Sequence, residues 1–443
     1  EKPHAVLGNF DPAFLKVPQE ALISSMRDHQ KYFHVVDGKG ALLPAFITVS
    51  NIRSRTPARV RTGNERVLNA RLADAKFFWE TDAIQPLSAR TKALENVLFH
   101  HALGSLAGKT RRIEKLSAKI AQAVGAPAAA CVRAASLCKA DLVSGMVGEF
   151  PDLQGIMGRY LARHDGEPAA VARAIEEHYL PRYAGGALPQ SPAGQVLALA
   201  DRLDSLVGLF IAGEEPTGEK DPYGLRRAAL GVIRILVEKK LDLNVAALVE
   251  DAADGYASDG LVSGESAKSQ CATFILERYR ALYTTLGFAQ DEISAVLEAG
   301  ASRPLDFDRR LKAVSRFRHH RDAPSLAAAN KRIRNILRKS EESIPAQIDA
   351  QQLTESAEIA LSQAILKTAG AIAPAIAKGD YAAALRTLAG LRPVVDGFFD
   401  EVMVMSPDRA VRTNRLALLG QLNQLFLGIA DISLLQTLET GDG

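Results

Sequence analysis

The chain has 443 residues, of which 47% are hydrophobic and 24% charged, so it holds enough apolar material to fold and is not dominated by disorder. Its net charge of +3, from 54 basic and 51 acidic residues, defines no partner by itself. Three cysteines without a CxxC pair exclude a disulfide framework and disfavour structural zinc, and this cysteine content suits a reducing cytoplasm. The chain lacks a run of about 18 consecutive apolar residues, so no membrane span is predicted.

The first 90 residues carry the only strong strand signals. Tyr32–Val36 is β-prone, Asp37–Gly40 has the composition of a turn, and Ala41–Val49 is again apolar, which together predict a hairpin. A helix is expected from about Pro57, since proline suits a first helical turn. Its buried stripe is predicted to contain Leu68, Leu72, Ala75 and Trp79. We therefore interpret residues 1–90 as an α/β fragment.

From Pro86 onwards the pattern is helical almost to the end of the chain. The polar segment Gly213–Pro222 contains Gly and Pro and predicts a boundary, which separates residues 91–214 from residues 215–443. The last helix is strongly amphipathic. Its predicted buried face consists of Leu416, Leu419, Leu422, Phe426 and Ile429. The predicted fold class is therefore mainly α.

The segment Leu103–Thr110 is similar to a phosphate-binding loop. The motif requires glycine where Leu103 stands, and no strand is expected before it. Without a strand the backbone amides are not aimed at a phosphate. A turn between two helices is the preferred interpretation.

A second motif resembles the metal site of HD-type phosphohydrolases. His100, His101, Asp141 and Asp201 follow one another on successive predicted helices, in the order in which that family places its ligands. Ala140 stands where the family has its second histidine, so the ligand set is incomplete. We interpret residues 91–214 as an HD-like helical domain without a bound metal, and a working metal-dependent phosphohydrolase stays as an alternative.

The most informative charge pattern lies between residues 301 and 340. This window holds twelve Lys or Arg and three acidic residues, a net charge of +9, so the rest of the chain is mildly acidic. In its second helix Ile333, Ile336 and Leu337 are predicted to point inward. Lys331, Arg334, Arg338 and Lys339 are predicted to face solvent. Such a face fits a polyanion, and the scarcity of aromatic residues favours structured RNA over single strands.

Four ordered stretches resemble the β subunit of the bacterial heterotetrameric glycyl-tRNA synthetases. They are Met26–Phe33 with Leu43–Asn51, Gly63–Trp79, Met146–Gly158 with Glu177–Pro181, and Asp396–Met405 with Arg412–Leu419 and Ala430–Ser433. Members of that family are longer at the N-terminus, so the chain is expected to lack their first part. The resemblance implies an HD-like domain at 91–214, and a helical linker and anticodon-binding domain at 215–443.

The resemblance also implies a division of labour within an α₂β₂ enzyme. The α subunit uses ATP and Mg²⁺ to activate glycine, so this chain is expected to hold no catalytic residue, metal or cofactor. Its expected partners are tRNA(Gly) and the α subunit, in the cytoplasm, with no DNA and no membrane. The predicted tRNA-binding residues are Arg316, Arg318, Lys331, Arg332, Arg334, Arg338, Arg412 and Arg415. A second alternative is a scaffold that only stabilises the α subunit.

Overall fold

The structure, a computed structural model, describes residues 3–261, 264–300, 302–340 and 342–436. It confirms a mainly helical fold with a small N-terminal sheet. The strands are β1 His4–Asn9, β2 Phe33–Val36, β3 Leu42–Ser50, β4 Leu98–His100 and β5 Gly104–Ser105. The helices of the first half are α1 Gln19–Ser24, α2 Pro57–Asp82, α3 Leu87–Arg90, α4 Leu106–Val124, α5 Ala128–Leu137, α6 Gly145–Glu149, α7 Ile156–His164, α8 Ala169–Glu177 and α9 Pro192–Ile211.

The remaining helices continue to the end of the described chain. They are α10 Leu225–Glu238, α11 Val245–Ser258, α12 Glu265–Leu276, α13 Arg278–Thr285, α14 Gln290–Glu298, α15 Pro304–Phe317, α16 Ala323–Lys339, α17 Ser356–Ala377, α18 Tyr381–Ala389, α19 Arg392–Glu401 and α20 Arg409–Leu427. The chain divides into two compact units. Unit 1 comprises Glu1–Ile235 and Leu248–Cys271, and unit 2 comprises Leu236–Ala247 and Ala272–Gly443. The three-part division at 90 and 214 and the HD-like assignment stay predictions.

The N-terminal sheet contains the predicted hairpin. β2 and β3 pair antiparallel, and β3 is the central strand because β1 pairs with its other edge. The sequence did not predict β1, whose partner lies about 40 residues further along the chain. On the inner face Phe46 is fully buried and stacks on Tyr32, with 4.8 Å between ring centroids. Aromatic pairs of this kind stabilise a core beyond their buried area.

Helix α2 begins at Pro57, as predicted. Leu68, Leu72 and Ala75 are fully buried, which confirms that their helical spacing marks the core-facing stripe. Trp79 is half-buried and meets Tyr160 edge to face. This helix therefore covers the inner face of the sheet in unit 1.

The prediction of a turn between two helices at Leu103–Thr110 is wrong. β4 and β5 form a short antiparallel pair immediately before α4, so the segment joins a strand to a helix. Ser105 caps this helix, and its Oγ accepts a hydrogen bond from the Gly108 amide at 3.3 Å. A two-residue strand has no periodicity of its own to detect.

In unit 2, α17 packs against α18, α19 and α20. Leu416, Leu419, Leu422, Phe426 and Ile429 are all buried, which confirms the predicted face of α20. Among the residues that the structure describes, α17 alone is long and apolar enough to cross a membrane, which is weak evidence for a span. Its first turn carries the fully buried Glu358 in an ion pair with Arg415, an arrangement of a folded protein core.

Candidate nucleic-acid interface

The basic block of unit 2 forms the corner between α15 and α16. Apolar residues at helical spacing hold both helices on the core, among them Leu311, Val314 and Phe317 in α15 and Leu326 and Ile333 in α16. Ile336 and Leu337 are half-buried, so the predicted inward face is largely correct. Because the apolar sides face the core, the cationic side chains of both helices are placed on the outside.

Four of the eight predicted tRNA-binding residues are tied to carboxylates. The pairs are Arg318 with Asp291 at 2.9 Å, Arg412 with Glu342 at 2.6 Å, Arg334 with Asp431, and Arg415 with Glu358. The side chains of Arg318 and Arg415 are only 12% and 8% exposed. These four arginines hold elements of unit 2 together, and we do not include them in the candidate interface.

The other four predicted residues, Arg316, Lys331, Arg332 and Arg338, are exposed. Within the described ranges no carboxylate lies within 4.0 Å of their charged nitrogens, whereas most other arginines of unit 2 have such a partner. The Arg332 guanidinium lies 4.2 Å from the ring centroid of Phe399, which holds it without neutralising it. These cations are available to an anionic ligand.

Two of these residues line a surface groove that has two adjoining parts. Its larger part encloses about 810 Å³ between the α15–α16 corner and the segment Ser433–Gln436, and a smaller part of about 260 Å³ adjoins it along α18. Both parts share His319 and His320. We call this surface the basic groove; its cationic and histidine side chains are Arg316, His319, His320, Arg321, Lys331 and Arg386.

Acidic residues near the basic groove are already engaged. Asp322 accepts a hydrogen bond from Arg392 at 2.7 Å, and this bond lowers the pKa of Asp322. Arg386 was not among the predicted residues, because it belongs to α18 and reaches the groove only through the packing of α18 on α15. The groove therefore presents positive charge in a space large enough for a nucleotide.

The four HD positions do not form a metal site. His100 is buried with its Nε2 atom 3.6 Å from Glu214, while His101 is exposed. Asp141 is fully buried and accepts hydrogen bonds from the backbone N–H groups of two glycines. Among the described residues no group of three or more His, Cys, Asp or Glu side chains could hold a metal ion.

Two lysines surround Asp201, the last HD position. The ammonium groups of Lys109 and Lys139 lie 3.2 and 3.1 Å from its carboxylate oxygens, and Lys139 also lies 2.9 Å from Nε2 of His178. Burial would raise the pKa of Asp201, but the two lysines outweigh it and lower that pKa. Since ammonium groups already neutralise this carboxylate, the residues present do not fit a divalent ion.

The buried carboxylate of Asp141 gives a testable pH dependence. Burial raises the pKa of Asp141 from its ordinary 3.8 to about 6, although amide N–H groups of Gly155 and Gly158 oppose the change. Between these two pKa values Asp141 is ionised in the unfolded chain but still protonated in the native protein. The unfolding free energy therefore falls by about 2 to 3 kcal/mol as the pH rises through this range. Asp141→Asn removes this titration. We expect its unfolding free energy, relative to the unmodified protein, to rise by that amount between pH 4 and pH 7.

Urea unfolding of both proteins at several pH values measures this difference. Parallel pH profiles for the two proteins would contradict the prediction.

The chain is similar to known proteins along nearly its whole length. The family model described as glycyl-tRNA synthetase beta subunit matches residues 1–298, and that of the DALR anticodon binding domain matches residues 326–437. The glycine–tRNA ligase beta subunits of Aeromonas hydrophila and Chromohalobacter salexigens are 49% and 50% identical to this chain over 436 residues. That of Marinobacter nauticus is 48% identical over 438 residues. The matches cover 98 to 99% of this chain, which spans 63% of the length of these relatives.

Proposed function

The chain belongs to the glycyl-tRNA synthetase beta-subunit family, and from that premise we propose that it binds tRNA(Gly) through the basic groove and the exposed α16 cations Arg332 and Arg338, and positions it for glycylation by a partner α subunit. The anticodon-binding family match begins at residue 326 and covers most of α16, all of α18 and Ser433–Gln436, so about half of the groove lining lies inside it, with Lys331 and Arg386. The observation that carries the proposal is the set of four exposed cations without a carboxylate partner. When such cations contact the phosphates of an RNA, they release the counterions condensed on it, which favours binding.

The proposed contribution of this chain to glycylation is binding and orientation. Phosphate contacts from Arg316, Lys331 and Arg338 supply affinity and fix the register of the RNA. Unstacked anticodon bases can enter the groove beside Ser433–Gln436. Holding the tRNA in one orientation reduces the entropic cost of the reaction at the partner's active site. We further propose that this takes place in the cytoplasm, and that ATP and Mg²⁺ act on the α subunit.

Neutralising the exposed cations tests this proposal. We expect the triple variant K331Q/R332Q/R338Q to bind tRNA(Gly) about 10-fold more weakly at 50 mM salt, and to reduce the slope of log K against log salt by about 2 to 3. Fluorescence titrations of the full chain across a salt series provide both quantities. The matched control R280Q/K367Q/K378Q removes three exposed cations of unit 2 that neither line the groove nor lie on α16.

The control variant is expected to keep the affinity and slope of the unmodified chain. Equal affinities for all three proteins would contradict the proposed groove and favour the role of a scaffold for the α subunit.

A further inference from the structure

A second basic surface lies in unit 1, where β3 leads into α2. Residues 51–73 contain six arginines and one acidic residue, Glu65. Arg53 and Arg55 lie in the connecting loop, and Arg59 lies in the first turn of α2. Arg66 follows Arg59 by seven residues and so projects from the same side of the helix. We call Arg53, Arg55, Arg59 and Arg66 the arginine cluster.

The arginine cluster is exposed and is not neutralised within unit 1. All four side chains are exposed, and in the described part of the chain none lies within 4.0 Å of a carboxylate. Glu65 faces the sheet, where its Oε1 accepts the Asn9 amide N–H at 3.0 Å and lies 3.9 Å from Arg61. Between Arg59 and Arg66, a Cβ added to Gly63 would meet no atom within 4 Å, so this side of the helix is open.

This arrangement of charge does not stabilise the fold. The first turn of α2 contains Arg59 and no acidic residue, although the positive end of the helix dipole favours acids and disfavours cations there. The four exposed guanidinium groups, which are close together in the chain, also repel one another. A ligand that brings several negative charges would relieve both effects, so the surface fits a polyanion.

The type of polyanion follows from the side chains present. Residues 51–66 contain no aromatic side chain, so unstacked bases find no stacking platform there. Guanidinium groups bind phosphate oxygens in a bidentate manner and suit the regular phosphates of a double-helical RNA. We infer that the arginine cluster is a second contact surface for the same tRNA, binding backbone phosphates of a double-helical arm. This inference rests on the proposed function.

The triple variant R53Q/R55Q/R59Q tests the inference in the full chain. We expect it to bind tRNA(Gly) about 10-fold more weakly at 50 mM salt, with a salt slope reduced by about 2 to 3. The charge-preserving variant R53K/R55K/R59K should retain most of the slope, which distinguishes lost phosphate contacts from lost packing. The matched control is R27Q/R71Q/K76Q, because each of these cations of unit 1 has a carboxylate within 4.0 Å.

The outcomes separate this inference from the proposed function. Loss of affinity and slope in R53Q/R55Q/R59Q, with the control unchanged, supports the arginine cluster. If this variant binds like the unmodified chain while K331Q/R332Q/R338Q loses affinity, the inference is overturned and the proposed function stands. Normal binding by both variants overturns both. An equal loss in the control overturns the cluster as a specific surface. Unchanged RNA binding by R53Q/R55Q/R59Q, together with lost binding to the α subunit, also overturns the inference and would assign the cluster to a protein partner.

Discussion

Asp204→Ala is expected to lower the unfolding free energy of the protein by about 3 to 5 kcal/mol, because it leaves two buried cations without their shared carboxylate. Asp204 on α9 is 1% exposed and accepts hydrogen bonds from Lys109 Nζ at 3.0 Å and Arg112 Nε at 2.7 Å. Both cations come from α4 and are themselves buried. Burial would lower the pKa of Arg112, but Asp204 raises it, so the guanidinium stays charged inside the unit.

A second carboxylate on the same arginine provides the control. Asp259 lies 3.0 Å from Arg112, but its side chain is 35% exposed, so water can replace it. Asp259→Ala is therefore expected to cost about 1 kcal/mol or less. Urea unfolding followed by circular dichroism measures both variants. Similar small losses for the two variants would show that Asp201 and Asp259 are sufficient partners for Lys109 and Arg112.

The parts of the fold that the sequence predicted are those with a local signal. The β2–β3 hairpin has a turn of four polar or glycine residues between two apolar runs, and α2 repeats its buried residues at helical spacing. Strand β1 has no such signal, since it becomes a strand by pairing with β3 far along the chain. The two-residue β5 is defined only by its partner β4. Tertiary pairing determines these elements.

The candidate interface was predictable as a charge density but not as a set of free side chains. Counting charges found the basic block, yet Arg334 and Arg318 are bound by acids 97 and 27 residues away in the chain. The spacing of residues in the sequence does not predict ion pairs between such distant positions. The arginine cluster could be predicted from the sequence, because residues 51–73 contain six arginines and a single acidic residue, which is a local pattern. It is a smaller excess than the net charge of +9 at 301–340.

Glu358→Ala is expected to destabilise unit 2 by about 4 kcal/mol or more, because one substitution removes an ion partner and a helix cap. Glu358 is fully buried, and its Oε1 pairs with Arg415. Its Oε2 accepts the backbone N–H groups of Thr354 and Glu355 at 2.8 and 3.0 Å, before the first turn of α17. Without it, the partners that Arg415 keeps among the described residues are the carbonyl of Met403, which accepts a hydrogen bond at 2.7 Å, and Glu355 at 4.0 Å.

Two further variants separate these effects. Glu358→Gln keeps the acceptor for the cap but not the charge, so it should lose less stability than Glu358→Ala. Arg415→Ala should destabilise as strongly as Glu358→Ala, since it strands the buried carboxylate. Denaturant unfolding gives all three free energies, and a loss below about 1 kcal/mol for Arg415→Ala would contradict a core role. Because Arg415 was predicted to bind tRNA, this stability measurement decides whether weaker RNA binding by an Arg415 variant reports a lost contact or a weakened fold.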